Sequence, residues 1–246
     1  LEEELPDIER PVGDEVGAIE DFKDPNLNYQ SAVRASLSGM KFEDMRIVLD
    51  CAHGAAFEVG PKIMNTLGVD LKIQGCRPDG YNINKMCGSM HPEVLKAKVE
   101  DTMADMGIAL DGDGDRVIIV DESGEILDGD QIIFIIVKYL RDTSKWRESD
   151  GVVLTEMSNF GTRKALEKLG IQYAISPVGD RNVVNLMKEK GFTFGAEPSG
   201  HIILTEYTTS GDGLIAATNV MKVVKRLRKP LSALRKELKL MPSVVV

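Results

Sequence analysis

Gly107-Ile108-Ala109-Leu110-Asp111-Gly112-Asp113-Gly114-Asp115-Arg116-Val117-Ile118-Ile119-Val120 decides how this chain is read. Two apolar runs of four residues flank six polar ones, which predicts strand, tight loop, strand. Within the loop three carboxylates alternate with two glycines, and glycine lets the backbone fold tightly enough for the oxygens to converge. Convergence is costly. At ~4 Å each pair repels by roughly 1 kcal/mol in water and about 4 kcal/mol at an effective dielectric of 20. A hard divalent cation turns that repulsion into attraction, and Mg²⁺ takes carboxylate together with phosphate oxygens. Asp111, Asp113 and Asp115 are therefore the candidate metal ligands. Arg116 beside them can hold an anionic group through paired hydrogen bonds.

Other readings of the same loop stay in view. A solvated acidic turn is the plain one, since Asp and Gly favour turns. An EF-hand requires Gly where Arg116 stands, and a loop where Val117–Val120 reads as strand. A phosphatase using Asp111 as nucleophile would want Thr or Val at Asp115 and a second distal Asp where Val183-Val184 lie. A non-catalytic metal- or sugar-binding module is a further alternative.

Outward from the loop, strands and helices alternate. Arg46–Asp50 reads as a strand feeding a Gly/Ala turn, then a helix to about Leu67 stopped by Gly68. Asp70–Gln74 is a second strand, and His91-Pro92-Glu93 opens a helix with Pro near its first turn. Asp128 or Gly129 caps a helix over Gln131–Leu140. A second series follows: strands near Val152–Thr155, Gln172–Ile175, Phe192–Phe194 and Ile202–Thr205, with helices near Arg163–Leu169 and Asn182–Lys190. Leu214–Arg228 and Leu231–Leu238 end the chain as helices, broken by Pro230. The first of these has a core-facing side, Val220, Val223, Val224 and Leu227, and a solvated basic side.

The expected fold is α/β: two successive three-layer domains with mixed sheets flanked by helices. An echo supports a duplication, because Asp111–Arg116 and Gly195–His201 are each a polar, glycine-bearing loop before an apolar strand. The expected divisions are 1–24 as the remnant of a preceding domain, 25–125 with the carboxylate loop, 126–240 with the second loop, and 241–246 as the start of a linker onward.

The chain has 246 residues, 30 basic and 39 acidic, for a formal charge of −9. Residues 1–24 hold ten acids and two bases, so the rest is close to neutral and the acidity describes no binding surface. No basic stripe with interleaved aromatics appears, which argues against nucleic acid. The longest apolar run, Ile132–Val137, is far below the ~18 residues of a membrane span. Three cysteines, Cys51, Cys76 and Cys87, without metal-type spacing suggest a reduced, cytoplasmic protein. Oligomeric state is left open.

The second loop, Gly195-Ala196-Glu197-Pro198-Ser199-Gly200-His201, offers a carboxylate and a hydroxyl that could read sugar hydroxyls. Together with Asp50–Ala56, Pro78–Asn84, Cys87–Glu93, Asp111–Arg116, Met157–Asn159 and Val178–Arg181, it resembles the α-D-phosphohexomutase superfamily. The Asn82-Ile83-Asn84 and Cys87-Gly88-Ser89 segments are similar to its glucosamine branch. Departures are His53 for Asn, Met90 for Thr, Ala196 for Gly, and Asn182 for an aromatic residue.

The resemblance implies the two central domains of a four-domain enzyme that interconverts glucosamine 6-phosphate and glucosamine 1-phosphate, with a phosphoserine donor and Mg²⁺. Phosphomannomutases and phosphoglucomutases are alternatives within the superfamily. It implies Asp111, Asp113 and Asp115 as metal ligands, Arg116 steadying transferring charge, and Glu197 and Ser199 gripping the sugar. Asp180 and Arg181 would line the sugar side, and His201 is either a proton acceptor or a brace for its loop. His53 and His91 are expected to be structural.

Overall fold

The computed structural model describes residues 12, 13, 16–18, 20 and 25–242. Expectations for most of residues 1–24 and for 243–246 lie outside the described residues. Met241 and Pro242 have no regular structure.

The first sheet has the order β2-β1-β3-β4-β5. β1 (Arg46–Asp50), β2 (Asp70–Gln74) and β3 (Met106–Leu110) are parallel. β4 (Val117–Asp121) and β5 (Ile126–Leu127) continue it antiparallel. β5 is absent from the sequence reading. The Glu122–Glu125 turn folds it back onto β4, so the first sheet runs two residues past the expected border at 125.

The second sheet has the order β7-β6-β8-β9. β6 (Gly151–Thr155) pairs in parallel with β7 (Gln172–Ser176) and β8 (Phe194–Ala196), and β9 (Ile202–Leu204) closes it antiparallel. Strand for strand, β6, β7, β8 and β9 repeat β1, β2, β3 and β4. This is the mixed-sheet, tandem α/β architecture the sequence led us to expect. β8 lies two residues later than read, because Ala196 pairs with Ile202 while Phe192 packs at the strand's edge.

The helices form where the sequence supplies both a stripe and a stop. α2 (Val59–Leu67) buries Ile63, Met64 and Leu67 and ends on Gly68 at φ 85°, where glycine carries no left-handed penalty. α3 (Pro92–Thr102) covers the other face through Leu95 and Val99. α4 (Gly129–Asp142) starts with a reciprocal capping box between Asp128 and Gln131 and buries Ile132–Val137. That all-round burial marks α4 as a central helix rather than a surface one. α5 (Phe160–Lys168) and α6 (Asp180–Lys190) flank the second sheet.

α7 (Gly213–Leu227) packs on α4 and reaches both sheets, while α8 (Leu231–Arg235) follows Pro230. One continuous apolar core includes Ile47, Ile108 and Ile119 from the first sheet, Val152 and Leu204 from the second, and α4 and α7 between them. The basic side of α7 is engaged structurally: Lys222 donates to Ser36 O at 2.8 Å and Lys225 pairs with Asp44, while Lys229, just past the helix, pairs with Glu237.

α1 (Pro25–Ser36) was not foreseen. Its signal was Tyr29, Val33 and Leu37 at four-residue spacing after Pro25, and it lies against α2 and α7.

Candidate metal centre

The carboxylate loop leaves the C-terminal end of β3, where open α/β sheets commonly bind ligands. Asp111 is buried and acts first as a loop organiser. Its Oδ1 accepts from the backbone N–H of Gly114 and of Arg116, both at 3.1 Å, and its Oδ2 accepts from Arg116 Nε at 2.7 Å. Asp113 is exposed and Asp115 half-buried. The three still converge: one oxygen from each lies within 4.8 Å of the others.

Asp115 Oδ1 is buried with no hydrogen-bond partner and lies 3.6 Å from Arg116 Nε. An orphaned carboxylate oxygen is costly unless something else neutralises it. Burial first, then the Asp111 carboxylate, push Asp115 above the usual carboxylate range against the opposing pull of His201. An oxygen-only donor set with net negative charge fits a hard divalent cation.

Two neighbours hold the loop from outside. Ala55 N donates to Gly112 O at 2.7 Å, and Gly213 N, at the start of α7, donates to Gly114 O at 2.9 Å. Gly54 must be glycine here, because a Cβ would lie 2.1 Å from Gly112 O. His53 Nδ1 accepts from Arg77 N at 3.0 Å. A cavity of about 600 Å³ opens beside the loop, lined by His53, Ile83, Asn84, Asp111, Asp113 and Arg116 among others. A second, of about 330 Å³, lies between Asp113, Asp115, Tyr29 and Asp212. A larger cavity, about 830 Å³, lies at the opposite end of the first sheet, away from the carboxylates.

The second loop joins β8 to β9, the place equivalent to the carboxylate loop between β3 and β4. The two equivalent loops meet. Arg116 and His201 form an antiparallel bridge, and Val117 N donates to Gly200 O at 3.0 Å. His201 is 5% exposed, and its Nδ1 lies 3.0 Å from Asp115 Oδ2. Glu197 is also buried, and its Oε1 accepts from Gly179 N at 2.9 Å, tying the loop to the turn before α6. Pro198 O accepts from Gly129 N at 3.1 Å, which anchors it to α4.

Asp111, Asp113, Asp115, Arg116 and His201 are thus gathered into one cluster. Glu197 adjoins it through the backbone of His201. Ser199 is exposed on its loop, and Asp180 and Arg181 are exposed at the start of α6, where Asp180 accepts from the N–H of Arg181 at 2.7 Å.

Sequence reading missed Tyr29 and Asp212. The Tyr29 hydroxyl donates to the Asp212 carboxylate at 2.8 Å, and Asp212 caps α7 through Ile215 N. The Asp before Gly213-Leu214 was the available cap signal.

Comparison with known proteins identifies the two α/β units. Residues 23–124 match the family model described as phosphoglucomutase/phosphomannomutase, alpha/beta/alpha domain II, and residues 128–240 match domain III. A phosphoglucosamine mutase of Geobacillus kaustophilus (strain HTA426) is 43% identical over 97% of this chain and 53% of its own length. One from Bacillus cereus (strain AH187) is 42% identical over 100% of this chain and 54% of its own. The chain spans about half the length of the curated relatives it matches.

Among solved structures, a phosphoglucomutase/phosphomannomutase family protein from Burkholderia thailandensis superposes with a TM-score of 0.74 at 23% identity, covering 90% of this chain and 47% of that one. An N-acetylphosphoglucosamine mutase from Aspergillus fumigatus, solved with GlcNAc-6P and magnesium, gives 0.71 at 19% identity over 90% of this chain and 55% of that one. At these identities the likeness concerns the fold. Among the described residues, no helix is long and apolar enough to cross a membrane.

Proposed function

The chain belongs to the phosphoglucomutase/phosphomannomutase family, and from that premise we propose that it carries the metal- and sugar-binding half of a phosphoglucosamine mutase. Identity of 43% to a phosphoglucosamine mutase supports the amino-sugar reading. The observation that carries the chemistry is the convergence of Asp111, Asp113 and Asp115 within 4.8 Å, with a buried oxygen left unpartnered.

In the proposed reaction a phosphoserine gives its phosphoryl group to the free hydroxyl of glucosamine 6-phosphate or glucosamine 1-phosphate. The bisphosphate turns over, and its other phosphate returns to the serine. No Thr-Ala-Ser-His-Asn-Pro-type loop occurs in these 246 residues, so we place the donor elsewhere in the whole enzyme. Asp111, Asp113 and Asp115 would hold Mg²⁺, which when bound neutralises charge on the transferring group.

Arg116 is tethered by Nε to Asp111, which leaves the outer edge of its guanidinium to meet a phosphoryl oxygen. Glu197 keeps one carboxylate oxygen for a sugar hydroxyl while the other holds Gly179. Ser199 supplies a second hydroxyl contact, and Asp180 and Arg181 line the sugar side. His201 braces the junction of the two loops through Asp115, and accepts a proton if the reacting hydroxyl reaches its free ring nitrogen.

Titration calorimetry with Mg²⁺ on this chain tests the reading. Binding that is abolished in Asp113→Asn, with the fold intact by circular dichroism, is expected. Unchanged affinity in that variant would remove the site. The chain by itself is expected to show no mutase turnover.

A further inference from the structure

The three cysteines, scattered in sequence, gather around one buried carboxylate. Asp50 accepts from the Gln74 side chain at 2.7 Å and from Gly88 N, next to Cys87, at 2.8 Å. Cys51 N donates to Gln74 O at 3.2 Å, and the Cys76 thiol donates to that same oxygen at 3.2 Å. The Cys51 backbone N–H and the Cys76 thiol thus share one acceptor, which sets the two cysteines side by side. All three are free thiols; Cys51 and Cys87 are buried and Cys76 is partly exposed.

The environments differ in a useful way. The hydrogen bond from Cys51 holds the Cys76 thiol below its ordinary range, against burial and the Asp50 charge. The same contact, together with burial, pushes Cys51 up. Burial first, then Asp50, raises Cys87 to about 11. A reachable thiol of lowered pKa beside a buried second thiol is the arrangement of an attacking and a resolving cysteine.

We propose that Cys76 and Cys51 form a redox pair that a hydroperoxide closes to a reversible disulfide. The Cys76 thiolate sulfur attacks one peroxide oxygen, the O–O bond breaks, and the other oxygen takes up the proton that the Cys76 thiol gave up and leaves as an alcohol, or as water from hydrogen peroxide. Cys76 is then a sulfenic acid. The Cys51 sulfur attacks the Cys76 sulfur, the S–O bond breaks, and water leaves with the Cys51 proton. Two electrons pass from the two thiols to the peroxide, and a dithiol reductant returns them.

The bridge acts on the support of the carboxylate loop. Cys51 opens the turn in which His53 N donates to Gly75 O at 2.6 Å and Ala55 N donates to Gly112 O. Gly75, between Gln74 and Cys76, is itself pressed against that turn, since a Cβ there would lie 2.8 Å from Ala52 N. Closing the pair shifts this turn and lowers affinity for a cation at the loop; this last step rests on the metal reading above.

The chain is treated with equimolar hydrogen peroxide, digested without reduction and mapped by mass spectrometry. A Cys51–Cys76 cross-linked peptide, a free Cys87 and full reversal by dithiothreitol are expected. In Cys51→Ser, dimedone is expected to label Cys76. Absence of the bridge, or a bridge to Cys87 instead, overturns the pair. Mn²⁺ affinity, measured by electron paramagnetic resonance, is expected to fall at least threefold in the bridged chain. A bridge with unchanged affinity overturns the coupling. A reduced chain that binds no Mn²⁺ overturns the metal reading and the coupling, while the bridge is judged on the mapping alone.

Discussion

His201 Nδ1 lies 3.0 Å from Asp115 Oδ2, so the glycine-bearing loop of the second sheet ends on a carboxylate of the first. The two residues are 86 positions apart, and each belongs to the hairpin loop that is the other's topological counterpart. The same hairpin form is thereby used twice, once for charge and once to brace it.

Removing the brace has a direct cost. His201→Ala leaves Asp115 without its partner and opens space against Gly211, whose backbone packs on the imidazole ring. A loss of about 1–3 kcal/mol is expected for an unsatisfied half-buried acceptor. Urea unfolding at constant m-value measures it; a change below about 0.5 kcal/mol is the outcome against the brace.

Asp113 and Asp111 should separate cleanly. Asp113 is exposed, so Asp113→Asn should leave stability within about 0.5 kcal/mol while losing Mg²⁺ binding. Asp111 accepts three hydrogen bonds, one from Arg116. Asp111→Asn should lose metal binding and also about 2 kcal/mol, a figure held down because the Arg116 side chain is 41% exposed. Denaturation and calorimetry on the same preparations check both halves.

The joint between the loops depends on Gly200. Its φ is +95°, and a Cβ there would lie 2.1 Å from Val117 O, which is backbone and cannot swing away. Gly200→Ala is expected to cost about 3 kcal/mol or more, combining left-handed strain and overpacking. At this chain length that is a drop of about 6–12 °C in Tm by scanning calorimetry.

Asp130 gives a pH signature. Burial is the main cause that lifts it from an ordinary 3.8 to about 6, partly offset by the N–H of Asn159. Folding therefore favours the protonated form. Its contribution of about 3 kcal/mol is complete below about pH 4 and is lost as pH rises through 6. Asp130→Asn lacks this titration, so its stability relative to the parent should improve between pH 4 and 7.5. A pH-independent difference in urea unfolding counts against it.

Much of the architecture was legible locally. Short apolar runs marked β1, β3 and β4 and the alternating Asp70–Gln74 marked β2 almost to the residue, and Gly68 and Pro230 marked stops, because these signals act within one turn or one strand. The carboxylate loop was legible for the same reason: repulsion among Asp111, Asp113 and Asp115 is a property of adjacent residues. α1 was missed because its stripe of Tyr29, Val33 and Leu37 is thin and gains its worth only against α2 and α7. The two-residue β5 is too short to carry a period, and its pairing with β4 defines it.

Chain order and composition by themselves determined two α/β units, a cation-seeking loop, and a second loop of like design. Tertiary structure alone decided that those loops touch and that Cys51 and Cys76 share one carbonyl. Such contacts join residues distant in sequence, and their energies depend on burial and on which charges face each other. Neither is set until the sheets have packed on α4 and α7.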